Sequence, residues 1–155
     1  MRLSPNFSLA ELTTTGHAEH LQANRNPPAS VLVALTDMAK LLQCIRDHYD
    51  LPIKVNSSYR NPDLNVLVGG SPTSQHVVGE AADFVVIGGP TLTEVFDWVR
   101  LESGLHWGQI ILEGSPPSWI HLSLGVPYRS ADRCMQALTW APGSGYTRIE
   151  RDPIA

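Results

Sequence analysis

The sequence is poor in cysteine, and its two thiols do not have the spacing of metal ligands. Cys44 and Cys134 lie far apart in a chain of 155 residues. Because no Cys-x-x-Cys pair occurs, neither a thiolate metal site nor a disulfide framework is expected. We therefore expect two unpaired thiols without a chemical role.

Long apolar runs are also missing. No stretch approaches the roughly 20 residues of a transmembrane helix, so membrane insertion is not expected. The N-terminal sequence "MRLSPNFSLAELTTTGH" lacks the apolar core of a secretory signal. We expect synthesis in a cytoplasm, and a role outside the cell membrane would then need another export route.

An excess of positive charge is absent as well. The formal net charge is −4, and no block of like charges occurs, so the chain has no basic footprint for nucleic acid. We find no internal repeat and no low-complexity linker. With 43% hydrophobic residues, the composition is that of an ordinary globular protein. The length predicts a single domain over residues 1–155, and we expect a monomer.

The pattern of apolar residues predicts helices first and strands later. Apolar residues recur at helical spacing over about residues 29–48, which predicts a long helix with one core face. Strands are predicted at residues 53–57 and in "EAADFVVIGG", and a hairpin in "GQIILEG" and "SWIHLSLG". This order predicts an α+β fold with a small, mostly antiparallel sheet flanked by helices. From about residue 127 the sequence is polar, and an irregular segment is predicted.

Three side chains stand out as candidates for chemistry: His76, Asp83 and His121. Asp83 leads directly into the apolar sequence Phe-Val-Val-Ile. A carboxylate there is costly unless a hydrogen-bond network, an ion pair or a metal compensates it. Two imidazoles and one carboxylate are a sufficient ligand set for catalytic zinc. The residues alone leave a turn-forming aspartate and ordinary histidines as the alternative.

Three separated motifs then resemble a known family. "SSYRNPDLN", "SQHVVGEAADF" and "WIHLS" together are similar to the M15 metallopeptidases, which include zinc D-alanyl-D-alanine carboxypeptidases and phage peptidoglycan endopeptidases with a Hedgehog-like zinc site. The family pattern Ser-x-His, Gly-x-Ala-x-Asp and a later strand histidine matches Ser74, His76, Gly79, Ala81, Asp83 and His121. The resemblance implies one Zn²⁺ ion with His76, Asp83 and His121 as its ligands.

The resemblance also implies roles for residues around the metal. Arg60 matches the family's arginine upstream of the first ligand and is the candidate oxyanion stabiliser, since a guanidinium is always charged and offers forked donors. Ser74 and Tyr59 are candidate substrate-binding residues. Many relatives carry an acid three residues before the third ligand, but here that position is Ser118.

Glu113 is the candidate general base in place of the missing acid. Its suitability depends on the hairpin register, because cross-strand partners share a face. If residues 115–118 form a plain four-residue loop, Gly114 pairs with Trp119 and Glu113 points away from His121. An odd-length loop or a bulge would bring Glu113 onto the His121 face. Glu80 and Asp63 are weaker candidates.

The function implied by the resemblance is zinc-dependent hydrolysis of a peptide bond in peptidoglycan, on stem or cross-link peptides. Endopeptidase and carboxypeptidase activities both remain open. The expected site of action is the cell wall, reached through a separate pore or as part of a virion. The alternatives are a non-catalytic zinc-binding module and a phage structural protein, since Hedgehog-type domains share this ligand set without a required peptidase role.

Overall fold

The protein was studied as a computed structural model, which describes residues 1–150. The chain divides into two compact units, Met1–Gly89 and a second that begins at Pro90. The helices and the mostly antiparallel six-stranded sheet confirm the α+β class. Whether the chain behaves as one domain stays a prediction.

The first unit is mainly helical. Its elements in chain order are α1 (Leu9–Leu12), α2 (Ala18–Asn24), α3 (Ala29–Tyr49), β1 (Ile53–Ser57), α4 (Pro62–Leu67), a 3₁₀ helix (Gln75–Val78) and β2 (Ala81–Val86). The long helix α3 confirms the predicted one to within a residue and buries one apolar face, as its periodicity requires. The helix ends at Tyr49, and Asp50 follows as its C-cap with a left-handed φ of 50°.

The strands of the first unit place the aspartate of the second motif. β1 and β2 pair antiparallel, and the register changes between Val55 and Ser57, where Asn56 forms a bulge. Beyond the bulge Ser57 lies opposite Asp83. Asp83 therefore sits two residues after the start of a rigid strand, next to the "SSYR" segment that continues from β1.

The second unit contains one long helix and four strands. Its elements in chain order are α5 (Leu92–Leu101), β3 (Gln109–Glu113), β4 (Trp119–Ser123), a 3₁₀ helix (Ala131–Arg133), β5 (Gln136–Ala141) and β6 (Gly145–Ile149). β3 pairs antiparallel with β4 and parallel with β5, and β5 pairs antiparallel with β6. Thr91 and Glu94 form a capping box at the start of α5, as the three-residue spacing of these two residue types in the sequence predicts.

The last two strands correct the prediction of an irregular segment from about residue 127. β5 and β6 form a hairpin, but Ala137 is their only buried residue. Most residues of these two strands are half-buried or exposed, so the strands carry little apolar alternation, and the sequence pattern did not reveal them.

Among residues 1–150, no single helix is both long and apolar enough to cross a membrane. Only the sharply bent pair α2 and α3, taken together, has the length and composition that a crossing requires.

Candidate metal centre

The backbone around His76 is fixed by short-range contacts. The Ser74 hydroxyl accepts a hydrogen bond from the His76 amide, and the His76 carbonyl accepts one from the Arg60 amide at 3.0 Å. Gly79 ends the 3₁₀ helix with φ of 74°, and a Cβ there would lie 2.9 Å from a methyl carbon of Val31. Glycine therefore lets the loop pack against α3 and turn into β2.

The His76 ring is buried and held in one tautomer. Its Nδ1 lies 2.6 Å from the carbonyl oxygen of Ser58, and the Ser58 hydroxyl donates to the Ala81 carbonyl at 2.8 Å. A carbonyl oxygen can only accept, so Nδ1 carries the proton. This is the outer hydrogen bond that usually orients a metal-binding histidine. In the neutral ring, Nε2 presents its lone pair.

That lone pair faces a carboxylate. His76 Nε2 lies 3.4 Å from Asp83 Oδ2, and the two side chains are only 4% and 18% exposed. A charge-assisted hydrogen bond would be about 2.7–2.9 Å long, so the distance is too great for a well-formed imidazolium–carboxylate pair. A metal ion bound between them would take one ligand atom from each side chain.

His121 completes a set of three ligands. One ligand atom from each of His76, Asp83 and His121 lies within 4.8 Å of the others, so the group can hold a metal ion. Two imidazole nitrogens and one carboxylate oxygen match the three-ligand pattern of catalytic zinc sites. The donor set and the contact that orients the His76 ring therefore fit zinc.

The hairpin of the second unit has the register that suits Glu113. Glu113 lies opposite Trp119 and Ile111 opposite His121, so the connecting loop is the five residues 114–118. Residues two apart on a strand share a face. Glu113 consequently shares the face of His121 and is its diagonal neighbour. Of the two predicted possibilities, the structure has the odd-length loop.

Arg60 lies beside the ligands of the first unit and uses few of its donors. Its Nη2 donates to the Ser74 hydroxyl at 3.2 Å, and its buried Nε has no hydrogen-bond partner among residues 1–150. Burial lowers the pKa of the Arg60 guanidinium, and the negative charge of Asp83 opposes that change. The side chain stays a cation, because arginine does not lose its proton in proteins.

Asn24 is a positioning residue that the sequence reasoning missed. Its fully buried side chain donates to the carbonyls of Thr13 and Tyr59 at 2.8 and 2.9 Å and accepts from the Asn61 amide at 2.8 Å. These contacts hold the backbone on both sides of Arg60. They join residues 11 to 37 positions apart in the chain, so no local pattern could have revealed them.

The other predicted residues have clear positions. Ser74 contacts both Arg60 and the His76 backbone, while Tyr59 is only 4% exposed and burial raises the pKa of its hydroxyl. Substrate contact by either residue stays a prediction. Ser118, where many relatives have an acid, is exposed, and its amide donates to the Glu113 carbonyl at 2.7 Å.

An α+β chain that brings together two histidines and an aspartate has the ligand set of a zinc hydrolase. Comparison with protein families assigns it more narrowly. The family model described as Peptidase M15 matches residues 5–123. The chain belongs to the M15 peptidase family, and it is a hydrolase of the metallopeptidase class. No curated protein matches the sequence.

Proposed function

We propose that this M15 peptidase hydrolyses a peptide bond in the peptide moiety of peptidoglycan, with one zinc ion held by His76, Asp83 and His121. The observation that carries the proposal is the convergence of one ligand atom from each of His76, Asp83 and His121 to within 4.8 Å, with His76 Nδ1 2.6 Å from the Ser58 carbonyl oxygen. The M15 family supplies the reaction class.

When bound, zinc polarises the scissile carbonyl and activates water for attack. The chain must then supply a group that moves a proton. Glu113 lies on the face of His121 and is half-buried. Its carboxylate accepts a proton from water and delivers it to the leaving amine, which is the general acid–base role of a glutamate.

Arg60 stabilises the negative charge that develops on the carbonyl oxygen. Its backbone is fixed by hydrogen bonds to the His76 carbonyl and, through Asn61, to Asn24. A charged donor that is already in position needs no reorganisation during the reaction, which is what makes such groups effective. Ser74 holds the guanidinium by accepting from Nη2.

The cellular setting is part of the proposal. We propose that the protein acts as a monomer on stem or cross-link peptides. It would reach the cell wall through a separate pore or act there as a virion component. Peptidoglycan peptides contain D-amino acids, and the enzyme could cleave either internal or terminal bonds in them. Mass spectrometry of the products identifies which bond is cleaved.

The test is hydrolysis of purified sacculi with and without a chelator, followed by mass spectrometry of the released muropeptides. We expect new amines that disappear with chelator and return with added zinc, and the product masses identify the bond. A folded protein that binds zinc but releases nothing would make it a zinc-binding module and contradict the proposal.

The Glu113→Gln variant tests the general base. It keeps the shape of the side chain and removes its basicity, so we expect full zinc content and a loss of roughly 10²–10⁴-fold in turnover. Glu102→Gln, an exposed glutamate of the same unit, is the matched control and should retain the wild-type rate. Wild-type turnover in Glu113→Gln would remove Glu113 from the mechanism.

A further inference from the structure

The sheet of the second unit has two faces with different surroundings. Successive side chains of a strand point to opposite faces. The core-facing positions hold apolar residues that are at most 8% exposed, which are Ile110, Leu112, Ile120, Leu122 and Ala137. The residues that alternate with them, including Glu113 and His121, line the opposite face. We call this opposite face the ligand face, because it carries the third candidate zinc ligand.

Three aromatic side chains form a row across the ligand face. The strands β4, β3, β5 and β6 lie side by side in that order. Glu113 on β3 lies opposite Trp119 on one side and opposite Trp140 on the other, and Trp140 lies opposite Tyr146. Residues directly opposite each other share a face. With strands about 4.8 Å apart, the row from Trp119 to Tyr146 spans roughly 14 Å. We call these three side chains the aromatic row.

The aromatic row remains accessible to solvent. Tyr146 is 62% exposed, and Trp119 and Trp140 are half-buried. Aromatic residues suit strands because they pack against their neighbours, and large aromatic side chains are usually well buried. Three that stay accessible in one row, beside the candidate general base, therefore indicate a surface that binds another molecule.

The area of the aromatic row limits what it can bind. Three aromatic side chains offer at most roughly 750 Å² in total, and part of that area is already covered within the protein. A stable protein–protein interface buries about 800 Å² on each partner. The row therefore suits a narrow ligand with flat apolar surfaces better than a second protein chain.

A hydrogen-bonding group lies next to the aromatic row. Arg148 follows Tyr146 by two residues on β6, so it lies on the ligand face as the diagonal neighbour of Trp140. It is exposed, and its guanidinium offers several donors. The tyrosine hydroxyl adds a further donor and acceptor. Flat aromatic surfaces with such groups at their edge match a sugar ring, which has an apolar C–H face and a rim of hydroxyl and acetamido groups.

We propose that the aromatic row binds sugar rings of the glycan strand to which the stem peptides of peptidoglycan are attached. The proposal rests on the peptidoglycan substrate proposed above and concerns a different part of that substrate. Trp119 lies two residues before His121 on the same face, so a glycan on the row lies next to the candidate metal centre. Trp140 and Tyr146 lie beyond residues 5–123, which the family model matches, so the row is not part of the matched peptidase region.

The first test measures sugar binding without any peptide. The β-1,4-linked tetramer of N-acetylglucosamine is titrated into ¹⁵N-labelled protein, with and without a chelator, and the amide signals of residues 136–149 are followed. We expect saturable shifts that the chelator does not change. Tyr146→Ala and Trp140→Leu should each weaken binding about tenfold. Tyr49→Ala, a half-buried tyrosine of α3 in the first unit, is the matched control and should bind as the wild-type protein does.

The second test links the sugar to the reaction. Hydrolysis is compared for one stem peptide with and without its attached disaccharide. We expect a higher kcat/KM for the peptide that carries the disaccharide, and the ratio of the two values should fall towards one in Tyr146→Ala but not in Tyr49→Ala. A general loss of folded protein would lower both values equally and leave their ratio unchanged.

The absence of saturable binding of the tetramer at millimolar concentration would overturn the proposal, as would wild-type affinity in both variants. If Trp140→Leu does not fold, the exposed Tyr146 gives an independent answer. Hydrolysis of the peptides by a protein that does not bind the sugar would contradict the role of the aromatic row alone. Sugar binding by a protein that hydrolyses neither peptide would contradict the peptidase function and leave the row a glycan-binding surface.

Discussion

Replacement of Asn24 by alanine should destabilise the protein more than any other single change of an asparagine near the site. The side chain makes three hydrogen bonds in a fully buried position. Its removal leaves two carbonyls and one amide without partners. At about 1 kcal/mol for each group, the expected cost is about 3 kcal/mol of the free energy of unfolding.

This cost can be measured as a change in Tm. For a chain of this size, 1 kcal/mol corresponds to about 2–4 °C, so Asn24→Ala should lower Tm by about 6–12 °C in a thermal unfolding experiment followed by circular dichroism. The matched control is Asn26→Ala. That side chain is exposed and donates only to the Gln22 carbonyl, so its loss should change the stability by no more than about 0.5 kcal/mol.

A second variant tests the role of the donors. Asn24→Asp keeps the shape and the acceptor for the Asn61 amide, but at pH 7 it directs a carboxylate at the two carbonyls that the amide nitrogen served. It should therefore be destabilised as well. A Tm for Asn24→Ala that lies within about 2 °C of that for Asn26→Ala would refute the reasoning, because buried polar groups would then have found other partners.

Two further predictions concern other parts of the chain. Arg60→Ala should keep zinc and lose on the order of 10²–10³ in turnover, with partial recovery in Arg60→Lys, since lysine lacks the planar fork; unchanged steady-state kinetics would exclude an oxyanion role. Hydrogen bonds from the Thr91 backbone and side chain lower the pKa of Glu94. The stability that this carboxylate contributes should therefore be fully present above the unfolded-state pKa of about 4.3. It should be lost as the pH falls through the lower pKa of the folded state. Thr91→Ala should lower the free energy of unfolding by about 1 kcal/mol, because the helix loses its N-cap. If the free energy of unfolding depends on pH between 2 and 7 in the same way for Glu94→Gln and the wild-type protein, the predicted role of Glu94 is contradicted.

Local patterns predicted the parts of the fold that local physics controls. The periodicity of α3, the strand β1 and the capping box of Thr91 and Glu94 are each encoded within a short stretch, and the structure has all three. The helix α2 was not predicted. No side chain caps its N-terminus, and Asn24 is its only buried residue. Its sequence therefore shows neither a capping residue nor an apolar face.

The features that escaped prediction depend on contacts distant in the sequence. The position of Glu113 depends on whether the hairpin loop has four or five residues, and the loop sequence does not determine that number. The role of Asn24 depends on Thr13, Tyr59 and Asn61 meeting in space. The three candidate ligands could be predicted because zinc coordination requires these residue types, and the motifs show them in the sequence itself.

The most direct test of the account is the zinc content of the purified protein and of its ligand variants. Metal analysis should give one zinc per chain for the wild-type protein and for His20→Ala, a histidine outside the candidate site. His76→Ala, Asp83→Ala and His121→Ala should each lose stoichiometric zinc while circular dichroism shows a folded chain. Full zinc occupancy in a well-folded His121→Ala protein would contradict the metal centre and the mechanism built on it.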